Sequence, residues 1–226
     1  MKIVTAGMIK SFIDCPQKYN FLYNEHLDFP SDDKSSETGK KLHTLINYYY
    51  KGYDISKIIE SDLFKKDERL FFLWQNFLKN KPENVVATEY TFNTKLADNY
   101  RLTGRVDALQ QSVDSYVVLD WKTGKSSAIT VDADTQTMVY MYCFYKILSS
   151  ENKIKSFENL SMKYIFLAEN TVKTVKFNEE KYFEFEKFLL DYSRKISDFD
   201  NNPKTPQNPY DNCKKCKYFV FCKGAF

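Results

Sequence analysis

The sequence predicts an α/β fold: a central mixed β-sheet flanked by helices, with an N-terminal helical cap and a C-terminal cysteine-bearing segment. Three observations predict it. Apolar residues recur at helical spacing as far as residue 78. The period then changes to that of strands over residues 85–121, with turn residues between the runs. Helix and strand patterns alternate beyond that, ending in a long helix and a cysteine cluster.

Taken in order, Thr5 is placed to cap a helix carrying Met8, Ile9 and Phe12 on one face. Cys15-Pro16 interrupts it, and Pro16 opens a second helical piece with Tyr19, Leu22 and Tyr23. Residues 28–37, with Pro30 and a Ser/Asp/Lys cluster, are expected as a loop. Residues 38–50 form a helix through Leu42, Leu45, Ile46 and Tyr49, with His43 close to that face. Residues 67–78 form another through Leu70, Phe71, Trp74, Phe77 and Leu78. Strands follow over 85–92, 100–109 and 116–121, joined by turns at Asp98-Asn99 and at Ser112-Val113-Asp114-Ser115. Residues 135–148 are helical and strongly apolar, 160–167 and 171–177 are two further strands, and 179–199 form a long helix with a mixed charged face. Pro203, Pro206 and Pro209 stiffen a non-helical segment before the final cysteines. There is no internal repeat and no low-complexity tract.

A chain of 226 residues, 43% hydrophobic and 17% aromatic, is enough for one substantial core. No apolar run approaches the roughly 20 residues needed to span a membrane. The first residues lack a signal-peptide block, so a cytoplasmic protein is expected. A net charge of +3 is too mild to indicate nucleic-acid binding by itself, although local basic patches can supply it. Five cysteines in a reducing compartment favour metal ligation over a disulfide framework.

The chemistry concentrates in two apolar runs that each end in a carboxylate. One closes on Gly104-Arg105-Val106-Asp107, and the next on Asp120-Trp121-Lys122-Thr123-Gly124. Residues two apart in a strand share a face, so Asp120 and Lys122 point together and Trp121 points away. A hairpin pairing brings Asp107 beside them. Carboxylates held this close are costly unless a cation neutralises them, so a divalent ion belongs between Asp107 and Asp120. Such an ion can orient a phosphate and lower the pKa of a bound water, while Lys122 stabilises the developing phosphorane charge or helps position the water. The bland alternative is a surface hairpin with an ordinary Asp/Lys pair. The tripeptide alone favours that alternative; the preceding apolar run and the Thr-Gly turn favour the site.

His43 taken alone reads as a satisfied core or surface histidine; the alternative is a neutral imidazole able to serve as a further metal ligand. Glu89, on the strand before Asp107, could also be near; it ranks below the other four because an edge-strand acid is usually just solvated. Gln136 and Tyr140, four apart on the apolar helix, share a face suited to active-site or DNA-backbone contacts. Alternatively, Tyr140 packs in the core with Tyr142, Phe144 and Tyr145. Cys213, Cys216 and Cys222 have C-x2-C-x5-C spacing, one short of a four-ligand site. Cys15 is the candidate fourth, while Cys143 lies in the apolar helix as a small hydrophobe. Zinc and an iron–sulfur cluster both suit the spacing.

Together these residues resemble the RecB-like branch of the PD-(D/E)xK nuclease superfamily, and more closely its iron–sulfur members, the AddB-type nuclease domains and the CRISPR-adaptation nucleases. The motifs follow the family order over nearly the whole chain: Gly39 to His43, Gly104 to Asp107, Asp120 to Gly124, Gln136 with Tyr140, and one cysteine paired at a distance with three. Val106 stands where the superfamily's name has Pro, a usual departure in this branch.

The resemblance implies a restriction-endonuclease-like core and a single nuclease domain over residues 1–226. Within it, about 28–82 would be a helical insertion, 83–177 the catalytic sheet and helix, and residues 15 and 213–222 the cluster-binding segments. It implies that His43, Asp107, Asp120 and the Trp121 carbonyl ligate Mg²⁺ or Mn²⁺, and that Lys122 is the catalytic lysine. Gln136 and Tyr140 would support the site and the DNA strand. Cys15, Cys213, Cys216 and Cys222 would hold a structural [4Fe–4S] cluster.

The expected activity is a metal-dependent DNase, an exonuclease on single strands or DNA ends, in repair, recombination or CRISPR adaptation. A helicase or CRISPR-adaptation protein would be a possible partner, and no membrane is involved. Tyr48, Tyr49 and Tyr50 are available to stack on bases, with at least one of them in the core. Lys40, Lys41, Lys125, Lys214, Lys215 and Lys217 are available to phosphates. The alternative function is a catalytically inactive DNA-binding or assembly subunit that keeps the fold.

Overall fold

The structure is a computed structural model that describes residues 1–27, 34–126, 130–203, 213 and 216–222. The chain opens with strand β1 (Lys2–Val4) and helix α1 (Ala6–Asp14). Thr5 caps α1, its hydroxyl accepting from the Met8 N–H at 3.1 Å, while Ile9 and Phe12 turn inward. Pro16 opens α2 (Pro16–Tyr19), which runs on into a π-helical turn over Asn20–Asn24.

The next helix, α3 (Lys34–Tyr50), starts inside the stretch expected as loop. Residues 34–37 are helical, and Glu37 in the first turn suits the positive end of the helix dipole. Residues 28–33 lie outside the described residues, as do Pro206, Pro209, Lys214 and Lys215. Two short helices, α4 (Ser56–Ile59) and α5 (Asp62–Lys66), escape the periodic reading because neither is long enough to show a stripe. Helix α6 (Glu68–Asn80) starts at Asp67, whose carboxylate accepts from the Leu70 N–H at 3.1 Å.

Strands β2 (Val85–Ala97), β3 (Tyr100–Gln111) and β4 (Tyr116–Lys122) follow, then α7 (Thr135–Ser150), β5 (Leu160–Phe166), β6 (Thr171–Lys176) and α8 (Glu179–Asn201). The six strands form one mixed sheet in the order β1-β3-β4-β5-β6, with β2 also on β3. Its parallel pairs are β1 with β3 and β4 with β5. No described helix is long and apolar enough to cross a membrane.

The pairing of β3 creates the site. β2 pairs along β3 from Tyr100 to Gln110, so β1 and β4 must share the other edge. β1 takes the first part, at Tyr100 to Leu102, and β4 the last, up to Ala108 opposite Leu119. Beyond that pair β4 stays beside β5 as far as Lys122 opposite Phe166. The two strands therefore splay, with Asp107 on one side of the gap and Asp120 to Lys122 on the other.

Helices cover both faces. On one, α1, α7 and α8 bury Phe92, Val106, Val118 and Met162 against Val139, Phe144, Phe185 and Leu189. On the other, α3 and α6 bury Leu119, Trp121 and Ile165 under Leu42, Ile46, Trp74 and Phe77. Phe77 meets Trp121 edge-on at 5.8 Å. Burial of each large side chain contributes roughly 1.5–3 kcal/mol. The C-terminal segment docks on the N-terminal helices, Tyr218 stacking on Phe21 at 5.3 Å between ring centroids.

Gly104 is set by close packing. A Cβ there would lie 2.7 Å from the Phe92 ring and 3.1 Å from that of Tyr140, itself a candidate site residue. Gly104→Ala should therefore lower unfolding stability by about 1–3 kcal/mol, measured by urea denaturation. An unchanged midpoint would show that the two rings can move aside freely.

Candidate active site

Four separated parts of the chain converge on the gap between β3 and β4. Asp107 lies on β3 just before the point where that strand meets β4, and its Oδ2 accepts the Trp121 N–H at 2.7 Å. The side chain thus satisfies a backbone donor that β3 no longer reaches. His43 comes from α3. Its Nδ1 lies 3.1 Å from Asp107 Oδ1, and its Nε2 lies 3.1 Å from the Trp121 carbonyl oxygen. Burial lowers the imidazole pKa, but the hydrogen bond and charge of Asp107, helped by Asp120 and Glu89, outweigh it and raise it overall.

Asp120 is 3% exposed, and Trp121 beside it turns into the opposite core, as strand alternation requires. Gln136, on the first turn of α7, binds both members of the Asp120–Lys122 pair. Its Nε2 donates to Asp120 Oδ1 at 2.6 Å, and its Oε1 accepts from Lys122 Nζ at 3.0 Å. Asp120 Oδ2 also forms an ion pair with Lys122 Nζ at 2.7 Å. Burial, then the negative charge of Asp107, push the Asp120 carboxyl up to about 7 against the pull of Lys122. Lys122 also lies 5.3 Å from the centre of the Tyr164 ring beneath it.

Tyr140 is buried, and its hydroxyl donates to the Arg105 carbonyl at 2.7 Å. It braces the strand that carries Asp107, and the same hydroxyl meets the Gln136 side chain. Glu89, opposite Asp107 by the β2–β3 register, is brought closer than its ranking in sequence suggested. Ligand atoms of His43, Glu89 and Asp107 all lie within 4.8 Å of one another. Glu89 also pairs with Arg105 Nε at 2.9 Å and has a left-handed backbone, φ 49°. Such a conformation in a non-glycine strand residue costs energy and clusters at functional sites. Arg105 and Tyr164 are the neighbours that sequence reasoning missed; both act across strands, where no local pattern marks them.

Cys15 stands at the N-cap position of α2, but its side chain makes no cap hydrogen bond. Burial raises its thiol pKa, the backbone N–H groups of Lys18 and Gln17 lower it, and nearby Cys222 and Cys213 raise it further. The C-terminal cysteines therefore come back to the N-terminal helix. No three cysteine sulfurs among the described residues lie within 4.8 Å of one another. Cys143 is fully buried in α7, its thiol pushed up to about 12 by burial, and lies in the core cluster away from that group.

A mixed sheet splayed over paired aspartates, with a lysine and a histidine at the opening, is the framework of a phosphodiester-cleaving nuclease. Residues 60–223 match the family model of the PD-(D/E)XK nuclease superfamily, and the chain belongs to it. No curated protein matches the chain by sequence. Among solved structures, a candidate exonuclease from Eubacterium rectale has a similar fold at TM-score 0.60 and 10% identity, over 96% of this chain and 86% of its own. The crystal structure of SSO0001 aligns over 99% of this chain and 87% of its own, at 14% identity and TM-score 0.48.

Members of this superfamily cleave phosphodiester bonds with divalent metal ions, and the residues here fit such an ion. A carboxylate oxygen, Asp120 Oδ2, is buried with the Lys122 ammonium beside it at 2.7 Å, and burial, then a second carboxylate, raises its pKa. His43, Asp107 and the Trp121 carbonyl add imidazole and hard oxygen donors to the same gap. Oxygen-rich donors of this kind suit Mg²⁺ and Mn²⁺.

Proposed function

We propose that the chain is a Mg²⁺- or Mn²⁺-dependent deoxyribonuclease of the RecB-like branch, acting as an exonuclease on single-stranded DNA or DNA ends. The observation that carries this reading is the convergence of His43, Asp107, Trp121, Asp120 and Lys122 on one gap in the sheet. In this reading His43, Asp107, Asp120 and the Trp121 carbonyl hold the metal. A bound divalent ion would polarise the scissile phosphate and lower the pKa of a water.

The chain's own residues do the rest. Gln136 fixes the Lys122 ammonium beside Asp120, so it is pre-aimed at the charge that develops on the phosphate. Tyr140 holds the Arg105 carbonyl and with it the strand bearing Asp107. His43 must give up its proton to serve as a ligand, which Asp107 opposes until a cation takes the proton's place. The cysteine tetrad of Cys15, Cys213, Cys216 and Cys222 would hold a structural [4Fe–4S] cluster. A single zinc ion held by the same four thiols is the alternative occupant. A non-catalytic subunit would have no use for the Gln136-held pair. Association with a helicase or a CRISPR-adaptation protein belongs to this same reading.

The test is cleavage of end-labelled single- and double-stranded DNA with Mg²⁺ or Mn²⁺, beside Lys122→Ala. Loss of a preorganised charge stabiliser should cost roughly 10²–10³-fold in rate, with the fold intact by circular dichroism. A wild-type chain without activity in either metal would favour the non-catalytic subunit. Full activity in Lys122→Ala would overturn the site.

A further inference from the structure

We infer that the face of α3 turned away from the catalytic gap binds an unpaired base of the substrate strand. This inference rests on the nuclease reading above and assigns a subsite to it. A pocket of about 480 Å³ lies between α3 and the α4–α6 insertion. Its rim carries Lys40 and Lys41, and its apolar walls include Tyr48, Ile58, Leu63 and Phe64. Leu63 is 84% exposed, Ile58 45% and Tyr48 37%, so apolar surface faces water here with no covering element among the described residues. Such a patch calls for an occupant.

The occupant follows from the chemistry and from the helix. Lys40 makes no ion pair with any described residue, whereas Lys41 pairs with Glu37 at 2.8 Å. The acid in the pocket, Asp67, is engaged as the cap of α6. A free ammonium above an apolar, aromatic-walled cavity matches a nucleotide, with phosphate on the rim and base inside. Tyr48 is held edge-on by Tyr53 at 5.4 Å, a ring fixed in place for stacking. Tyr49 and Tyr50 instead pack against Trp74 and Phe77, so only Tyr48 of the three is available.

Helix geometry connects the pocket to the gap. At about 100° per residue, Lys40 lies roughly 60° around α3 from His43, and Thr44 roughly 40° further on. Lys40, Thr44 and Tyr48 are successive i+4 positions, and all line the pocket. A strand leaving the gap around α3, a helix about 10 Å across, meets Lys40 first and then the cavity. Only an unstacked, unpaired base can enter such a pocket, so the subsite selects single strands over duplex.

The experiment measures binding of dye-labelled oligothymidylate and of a duplex to the full chain in EDTA, by fluorescence anisotropy. Tyr48→Ala, Leu63→Ser and Lys40→Glu are compared with wild type; all three alter exposed positions outside the catalytic gap. Tyr48→Ala should weaken single-strand binding roughly ten-fold and leave duplex binding unchanged. An abasic nucleotide scanned along the oligonucleotide should weaken wild-type binding at one position and add no further loss in Tyr48→Ala. Wild-type affinity in all three variants, or equal loss for duplex and single strand, would overturn the inference. So would a change of oligomeric state on sedimentation, which would assign the patch to a second copy of the chain. Cleavage assays on the same variants keep the two readings apart: pocket variants with normal binding and activity leave the nuclease reading standing, whereas an inactive wild type defeats it whatever the pocket binds.

Discussion

Asp120→Asn is expected to abolish DNA cleavage and, at the same time, to stabilise the metal-free protein. The loss of activity, roughly a thousandfold, follows from removing a charged ligand of the proposed metal, worth several kcal/mol. The gain in stability follows from burial. Asp120 is enclosed beside Asp107, and its carboxyl is pushed up to about 7. A carboxylate whose pKa is higher folded than unfolded opposes folding once ionised. The penalty is absent below its ordinary pKa near 3.8, grows between about 4 and 7, and is complete above that. His43 acts in the same direction, since its raised pKa makes its contribution fade as pH rises through neutrality.

Without metal, the wild-type melting temperature should therefore fall as pH rises from about 4 to 7. The amide introduced by Asp120→Asn would keep an oxygen to accept from Gln136 while removing the buried charge, so this variant should melt higher at pH 7 and slope less. Added Mn²⁺ should raise the wild-type melting temperature and leave the variant unmoved. A variant less stable than wild type at pH 7 would mean that Asp120 is well compensated by Lys122, and the strain argument would fail. A variant that Mn²⁺ stabilises equally would place the metal elsewhere.

The sequence carried the parts of this site that depend on local periodicity. Asp120 and Lys122 share a face and Trp121 opposes them because strand alternation is a property of neighbouring residues. The Thr5 cap and the Pro16 helix start were legible for the same reason. What was not legible depends on partners far along the chain. Nothing in Gln136 announces that its amide will join Asp120 to Lys122, 16 and 14 residues away. Nothing local forces Glu89 into a left-handed backbone. Strand β1, three residues long, is too short for any alternation to register, yet by taking one part of the β3 edge it leaves β4 the other and opens the gap. Among Tyr48, Tyr49 and Tyr50, period 3.6 says they cannot all face one way, and only the position of α6 decides which one remains outside.

The second large effect concerns the cysteines, and Cys15→Ser separates their two possible roles. Cys15 stands at the N-cap of α2 without a side-chain cap hydrogen bond, and the backbone N–H groups of Lys18 and Gln17 act on its thiol, so a hydroxyl there could take up the capping. Serine is among the best residues for that task, whereas loss of a cap costs typically about 1 kcal/mol. If capping were all that Cys15 did, Cys15→Ser should be as stable as wild type or slightly more so. If Cys15 closes the proposed cluster with Cys213, Cys216 and Cys222, the same substitution removes a ligand that joins the two ends of the chain. Metal-site free energy is then folding free energy, and the loss should exceed anything a cap accounts for. Protein purified without oxygen should be brown as wild type and lose iron and visible absorbance as Cys15→Ser. The contact of Tyr218 on Phe21 should loosen with it, seen as faster proteolysis of the C-terminal segment. A colourless wild type loaded with zinc would replace the cluster by zinc while keeping the ligand role. A stable, protease-resistant Cys15→Ser would leave the packing of Tyr218 as the tie between the chain ends.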